Sequence, residues 1–332
     1  MASKTTMRAV VFNEIGDSSV LHVSDTVPVP TAGPRQALVK LEWAGVNFID
    51  TYLRSGLYPA ALPHITGKEG AGVIVALGAD VPAEYGLAVG DRVAVYSDGC
   101  AAEYVAAAAD RLLRLPPTVP TRDGAALMTQ GLTAWTLARD AHAVAPGETV
   151  LVQAAAGGTG RLLVQACKAL GATVVGTTSS AAKAAVARGH GADHVVVYTE
   201  ADVKAEVDRL TGGEGCHAVF SGVGQATFAA DLACTRRKGT LVTFGNSSGP
   251  VEAFRPLELG ARNVKLVRPR LDGYIATREE FVLRSGELLE LVAQGKIRAL
   301  VGGEYTLETL ARAQDDLVGK RTTGKLLVKI TP

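Results

Sequence analysis

Cysteine is scarce in this 332-residue chain: Cys100, Cys167, Cys216 and Cys234 stand far apart, with no CxxC pair and no histidines at metal-ligand spacing. That excludes a legible disulfide scaffold and a compact zinc knot, and a reduced intracellular protein is the simplest fit. Net charge is equally thin. The 34 basic and 33 acidic residues leave +1, so nothing electrostatic marks a polyanion or a membrane surface as the main partner. No apolar run approaches the roughly 18 residues of a membrane span, and MASKTTMRAVVFNEIG has no stretch apolar enough for a signal peptide. The expected location is the cytoplasm. The six histidines form no triad or metal spacing, and Ser247 and Ser248 lie in a glycine-containing loop without an acid and base pattern.

What is present is apolar and patterned. At 47% hydrophobic residues the composition is that of a folded chain, and 332 residues exceed the roughly 100 to 200 of one typical domain, which predicts two. The first third alternates in short runs, MRAVVF, QALVKLEWAGV, GVIVALG and VAVYS, separated by VPTAGP, RSGLYPA and GLAVGDR. This spacing predicts a small antiparallel barrel. Near Asp123 the texture turns helical in GAALMTQGLTAWTLARDAHA. Apolar strands then alternate with amphipathic helices: TVLVQA, RLLVQACKALG, TVVGT, AAKAAVARGHG, HVVVY. That rhythm predicts a parallel sheet covered on both faces. HAVFSGV and GTLVTFG add strands, TREEFVLRSGELLELVAQGKI reads as a helix with a Thr277/Glu280 capping box, and KLLVKI alternates like a strand returning to the first domain.

Between TVLVQA and its helix lies AAAGGTG, Ala154 to Gly160. A dinucleotide turn needs small residues at GxGxxG spacing for the tight bend, for close approach to the pyrophosphate and for helix packing. Ala155, Gly157 and Gly160 occupy those positions. Amides at the following helix's N-terminus then hold the diphosphate. Specificity is read at the end of the next strand, where an NAD site places an acid. Here stand TTSS, Thr177 to Ser180, then Lys183 and, after the following strand, Tyr198. An amine and a phenol without a repelling carboxylate suit a 2'-phosphate, so NADPH is the expected cofactor. Taken singly, Lys183 also reads as a solvated helix residue and Tyr198 as a half-buried strand end.

These features, with AGVNFIDTYLRSGLYP, GKEGAGVI, VGDRVAVY, LMTQGLTAWTLARD, TFGNSSGPV and TREE in order, resemble the zeta-crystallin-like NADPH:quinone oxidoreductases of the medium-chain dehydrogenase/reductase superfamily along nearly the whole chain. The resemblance implies an α/β protein in which a Rossmann nucleotide-binding domain (126–270) is inserted in a GroES-like barrel substrate domain (1–125 and 271–332). It also implies homodimerisation through the nucleotide-binding domain and reduction of quinones or other conjugated carbonyls. The matching residues place Asn47 and Tyr52 at the nicotinamide cleft and Thr133 near the cofactor. The turn residues Ala156, Gly157, Gly158, Thr159 and Gly160 fall on the pyrophosphate. Thr178, Ser179, Lys183 and Tyr198 fall on the adenosine phosphate, and Phe244, Gly245, Asn246 and Ser247 on the nicotinamide side. Arg268 matches a further cofactor contact. Two positions depart from the family pattern. Lys320 stands where an arginine is common, with Arg321 shifted by one, and Ser221 replaces the common aspartate before GVG.

Zinc-dependent relatives carry cysteine near the position of Asn47 and histidine at that of Lys68, so no metal is expected. Without a Lewis acid the chemistry suits an acceptor that is already electrophilic, stacked over the nicotinamide with water excluded. Asn47 reads as an electrostatic donor or a turn cap, and Tyr52 as a proton donor or an aromatic wall. Hydride and single-electron transfer both remain open. A different class is also open through the resemblance: an NADPH-sensitive RNA-binding or regulatory crystallin-like protein. Its local support is weak, since KGT and RPRLDGY are no arginine-rich tract and no aromatic stacking pair is evident.

Overall fold

A computed structural model describes residues 5–330 of the chain. The alternating runs of the first third are strands: β1 (Thr6–Phe12), β2 (His22–Pro28), β3 (Gln36–Val46), β4 (His64–Ile65), β5 (Glu69–Leu77), β6 (Arg92–Tyr96), β7 (Tyr104–Ala108) and β8 (Leu112–Arg114). Alternation sets their two faces: in β3, Ala37, Val39 and Leu41 are fully buried while Lys40 between them is exposed. Helix α1 (Phe48–Arg54) follows β3, and α2 (Thr121–Thr136) begins where the texture changes.

The next stretch keeps the expected rhythm: β9 (Thr149–Val152), α3 (Gly158–Ala169), β10 (Thr173–Thr178), α4 (Ala181–Gly189), β11 (His194–Val197), α5 (Val203–Thr211), β12 (Cys216–Ser221), α6 (Phe228–Cys234), β13 (Thr235–Thr243) and β14 (Lys265–Val267). All six strands are parallel, in the order β11-β10-β9-β12-β13-β14. Strands covered on both faces need not alternate, and Val150, Leu151 and Val152 are all buried. The order reverses direction between β9 and β12, which is the switch point where such sheets bind nucleotides.

The last two strands, β15 (Val301–Thr306) and β16 (Lys325–Lys329), rejoin the first part: β16 pairs antiparallel with β3, from Leu326 opposite Val46 to Lys329 opposite Trp43. The larger sheet there runs β15-β16-β3-β5-β6-β8, with β7 also on β3, and β2-β1-β4 form a second sheet. The expected all-antiparallel barrel is corrected at one place, since β15 and β16 pair parallel. Helix Arg278–Ala293 has its capping box, with Glu280 N donating to Thr277 Oγ1 at 3.3 Å and Thr277 N to Glu280 Oε2 at 3.1 Å.

Two compact units result. One comprises the described residues up to Gln130, Thr277–Ser285 and those from Ala299 onward; the other is Gly131–Ala276 with Gly286–Arg298. The boundary falls beyond residue 125 because the helical texture at Asp123 opens α2, a continuous helix that carries the chain past Gln130. Each unit has its own core, one around Phe12, Leu41, Ile74 and Val328, the other around Leu151, Val175, Val219 and Leu241. Each such side chain contributes about 1.5 to 3 kcal/mol on burial. Among the described residues no helix is long and apolar enough to cross a membrane.

Candidate active site

In the second unit the turn after β9 is built around one carbonyl. Ala154 has φ 52, the left-handed region that residues with a Cβ rarely adopt. Its oxygen accepts from Gly157 N at 2.9 Å and would stand 2.3 Å from a Cβ on residue 160, so only glycine fits there. The methyl of Ala155, at the first small position, has a counterpart in the neighbouring strand. A Cβ on Gly176 of β10 would come within 2.7 Å of it, so glycine on β10 makes the room that glycine usually makes in the turn. No side chain caps α3 and its first turn holds no acid. The amides of Gly158, Thr159 and Gly160 therefore have no intrahelical acceptor and suit a phosphate.

At the end of β10, Thr178 is buried and Ser180 caps α4, its Oγ accepting from Lys183 N at 3.4 Å. This fixes Lys183 in the helix's first turn. Tyr198 N donates to Thr178 O at 3.0 Å, and the residue is 45% exposed. The loop after β13 is laced to that after β12: Phe244 N donates to Ser221 O at 2.8 Å, Ser247 N to Gly222 O at 3.2 Å and Ser248 N to Val223 O at 2.8 Å. A Cβ on Gly245 would meet Gly222 O at 2.6 Å. Arg268, just past β14, donates to Thr243 O at 3.0 Å. Because the strands are parallel, all these loops open along one edge of the sheet: Ala156 to Gly160, Thr178 to Lys183, Tyr198, Phe244 to Ser247, and Arg268. Thr133 lies half-buried in α2, in the same unit. Ser221, where the family pattern has aspartate, is buried and hydrogen-bonded to Thr227 and Asp231.

Asn47, Tyr52 and Lys320 belong to the first unit. Asn47 sits at the N-terminus of α1, is 4% exposed, and has its amide engaged at both ends. Nδ2 donates to Glu69 Oε1 at 2.6 Å, while Oδ1 accepts from Lys325 Nζ at 2.8 Å and Gln130 Nε2 at 3.2 Å. Lys325 and Glu69, both fully buried, form an ion pair; Lys325 also donates to Val46 O, and Glu69 Oε2 accepts from Thr129 N at 2.7 Å. The amide is thereby fixed with its nitrogen toward the carboxylate and its oxygen toward the ammonium. Asp50 Oδ2 accepts from Asn47 N at 2.7 Å, but Oδ1 is buried without a hydrogen-bond partner, and burial pushes the carboxyl up to about 7.

Tyr52 is half-buried in an aromatic group, its ring centroid 6.1 Å from Phe48 and 5.3 Å, edge on, from Tyr58. Lys320 is exposed with φ 56, whereas Arg321 donates to Asp316 at 2.8 Å. Glu69, Asp50, Gln130 and Lys325 were not among the expected site residues. Their signal is charge on buried strand faces: Glu69 opens β5 inside GKEGAGVI, and Lys325 opens KLLVKI at a core position.

A dinucleotide turn at the switch point of a parallel sheet, with a mixed barrel sheet closed by the C-terminal strand, defines a dinucleotide-dependent oxidoreductase of the medium-chain dehydrogenase/reductase class. Family profiles agree: residues 33–117 match the alcohol dehydrogenase GroES-like domain, and 158–282 match the zinc-binding dehydrogenase family. The chain is 39% identical to a quinone oxidoreductase of Pseudomonas aeruginosa, covering 97% of this chain and 99% of the relative. A mycobacterial protein solved in complex with NADPH superposes with a TM-score of 0.94 at 40% identity, covering 97% of this chain and all of that one. The Escherichia coli quinone oxidoreductase complexed with NADPH gives 0.92 at 35% identity, over 97% and 99%. The chain belongs to the quinone oxidoreductase family, on the branch of the superfamily that works without zinc.

Proposed function

We infer that the chain catalyses NADPH-dependent reduction of quinones, and of other conjugated carbonyls that share their electrophilic character. The acid-free end of β10, with Lys183 in the capped first turn of α4 and Tyr198 beside Thr178, carries the cofactor assignment. The α3 amides hold the pyrophosphate, and Lys183 and Tyr198 meet the 2'-phosphate. Bound NADPH supplies the reducing equivalents from its nicotinamide ring. On the barrel unit, Asn47 keeps one amide hydrogen beyond that given to Glu69. Lys325 beside Oδ1 holds the amide from flipping, so this hydrogen is the donor for the acceptor's developing negative charge. Tyr52, in its aromatic group, shapes the wall for a planar acceptor, and its hydroxyl is the candidate proton donor. At the positions that carry metal ligands in zinc-dependent relatives, Asn47 and Lys68 offer neither thiolate nor imidazole.

Two further expectations belong to this reading: a cytoplasmic enzyme, and a homodimer through the nucleotide-binding unit. For the dimer the support is β14, a short edge strand with β13 as its paired neighbour among the described residues. The function is tested by following NADPH and NADH oxidation with benzoquinone before and after exhaustive chelation. Turnover selective for NADPH and untouched by chelation is expected; restoration by stoichiometric zinc would refute it. Gel shifts of labelled RNA with and without NADPH separate the regulatory reading, which requires binding without turnover.

A further inference from the structure

Behind the cofactor turn lies a buried polar chain whose members come from four elements of the second unit. Asp231 of α6 is 1% exposed and accepts from Gln153 Nε2 at 2.6 Å and from Thr227 Oγ1 at 2.7 Å, with Ser221 as a third donor. Gln153 follows β9 directly and is 5% exposed. Its Oε1 accepts from Thr177 Oγ1, on the fully buried end of β10. Thr177 Oγ1 in turn accepts from Ala154 N at 3.3 Å. Each polarity follows from the one before. A carboxylate only accepts, so it selects the nitrogen of the Gln153 amide; the amide oxygen then faces Thr177 and takes its hydroxyl hydrogen; the hydroxyl lone pair is left for Ala154.

Ala154 is the residue that needs holding. It carries a Cβ yet stands at φ 52, and its carbonyl is the one around which Gly157 and Gly160 close the turn. A left-handed alanine is strained and persists only where its surroundings over-determine it. We propose that Asp231 is a positioning residue for the cofactor: through Gln153 and Thr177 it fixes the amide of Ala154, and with it the α3 amides that receive the pyrophosphate. The carboxylate reaches from α6, while the end of β12 carries a hydroxyl, Ser221. Ser221 and Asp231 hydrogen-bond to each other, so exchanging them returns one carboxylate and one hydroxyl to the same pocket. Burial raises the Asp231 carboxyl above its usual range while its three donors oppose that rise, as a desolvated acceptor held by hydrogen bonds should behave.

The proposal rests on the NADPH reading, and its test uses two probes on the whole chain: NADPH, and 2'-AMP, which has the 2'-phosphate but no pyrophosphate. Binding is measured by titration for the wild type, Asp231→Ala, Thr177→Val and the exchange Ser221→Asp/Asp231→Ser, with thermal stability alongside. Asp231→Ala and Thr177→Val should each weaken NADPH about tenfold, the effect of losing one buried hydrogen bond, while 2'-AMP binding stays within about twofold. The exchange should recover NADPH affinity to within about threefold of wild type. Thr177→Val is nearly isosteric, so it keeps the test open should Asp231→Ala fold poorly. Unchanged NADPH affinity in the single variants, or parallel loss of both probes with no recovery in the exchange, overturns the proposal. A wild type that binds 2'-AMP but not NADPH, or neither, overturns the cofactor reading and the proposal with it.

Discussion

In the proposed reading, cofactor choice turns on Lys183. Replacing it by alanine removes a charge-assisted hydrogen bond of about 1 to 3 kcal/mol to a 2'-phosphate, so NADPH affinity should fall roughly 5- to 150-fold with NADH little changed. Equal losses for both in a direct titration would move the assignment elsewhere. Asp50 gives a second single-residue test. Its carboxyl is raised from 3.8 to about 7 in the fold, so above pH 4 the folded protein holds a proton that the unfolded chain releases. Stability from this group is therefore full below about pH 4 and declines as pH rises toward 7. Asp50→Asn keeps the acceptor for Asn47 N and removes the titration. Its melting temperature should fall less than that of the wild type between pH 5 and pH 8, and parallel curves would contradict the assignment. The buried pair behaves differently: Lys325→Met leaves Glu69 unpaired at zero exposure, a cost of about 3 to 5 kcal/mol read as a lowered urea midpoint.

At the scale of elements, legibility followed periodicity. The strands and helices from β9 to β13 could be read because their apolar runs and amphipathic faces are set by local contacts. The capping box at Thr277 could be read because it spans only four residues. The parallel pairing of β15 with β16 could not, since register between strands some twenty residues apart is decided by packing. The site divided in the same way. Ala155, Gly157 and Gly160 are neighbours in sequence and announced the turn, but Gly176, which makes room for the Ala155 methyl, is legible only once β10 lies against β9. Asn47 was visible as a polar residue in a motif; its orientation depends on Glu69, Gln130 and Lys325, whose sequence separations from it reach 278 residues. The turn carries its own prediction. A Cβ at residue 160 would stand 2.3 Å from Ala154 O, whereas one at residue 157 would stand at 3.2 Å. Gly160→Ala should thus weaken NADPH about tenfold or more, and Gly157→Ala distinctly less, in fluorescence titrations. The reverse order would mean that the turn is shaped otherwise.

For the whole molecule, the proposed reading gives the cofactor to the nucleotide unit, inserted between the parts of the barrel unit that β16 closes, and acceptor recognition to the barrel unit. The proposed association through β14 predicts a particle of twice the 34.4 kDa chain mass in light scattering. A proline at Leu266, which removes an amide from that strand, should shift it toward the monomer. In the proposed mechanism the acceptor must bring its own electrophilicity, because Asn47 and Tyr52 offer hydrogen bonds where a zinc enzyme offers a Lewis acid. The most direct measurement follows NADPH consumption, in chelated buffer, over benzoquinones, larger ortho-quinones, linear enones, saturated ketones and, with NADP, alcohols. Rapid turnover of quinones, slower turnover of enones and essentially none of saturated ketones or alcohols is expected. Saturated ketones reduced as fast as quinones, or faster NADP-dependent alcohol oxidation, would contradict it.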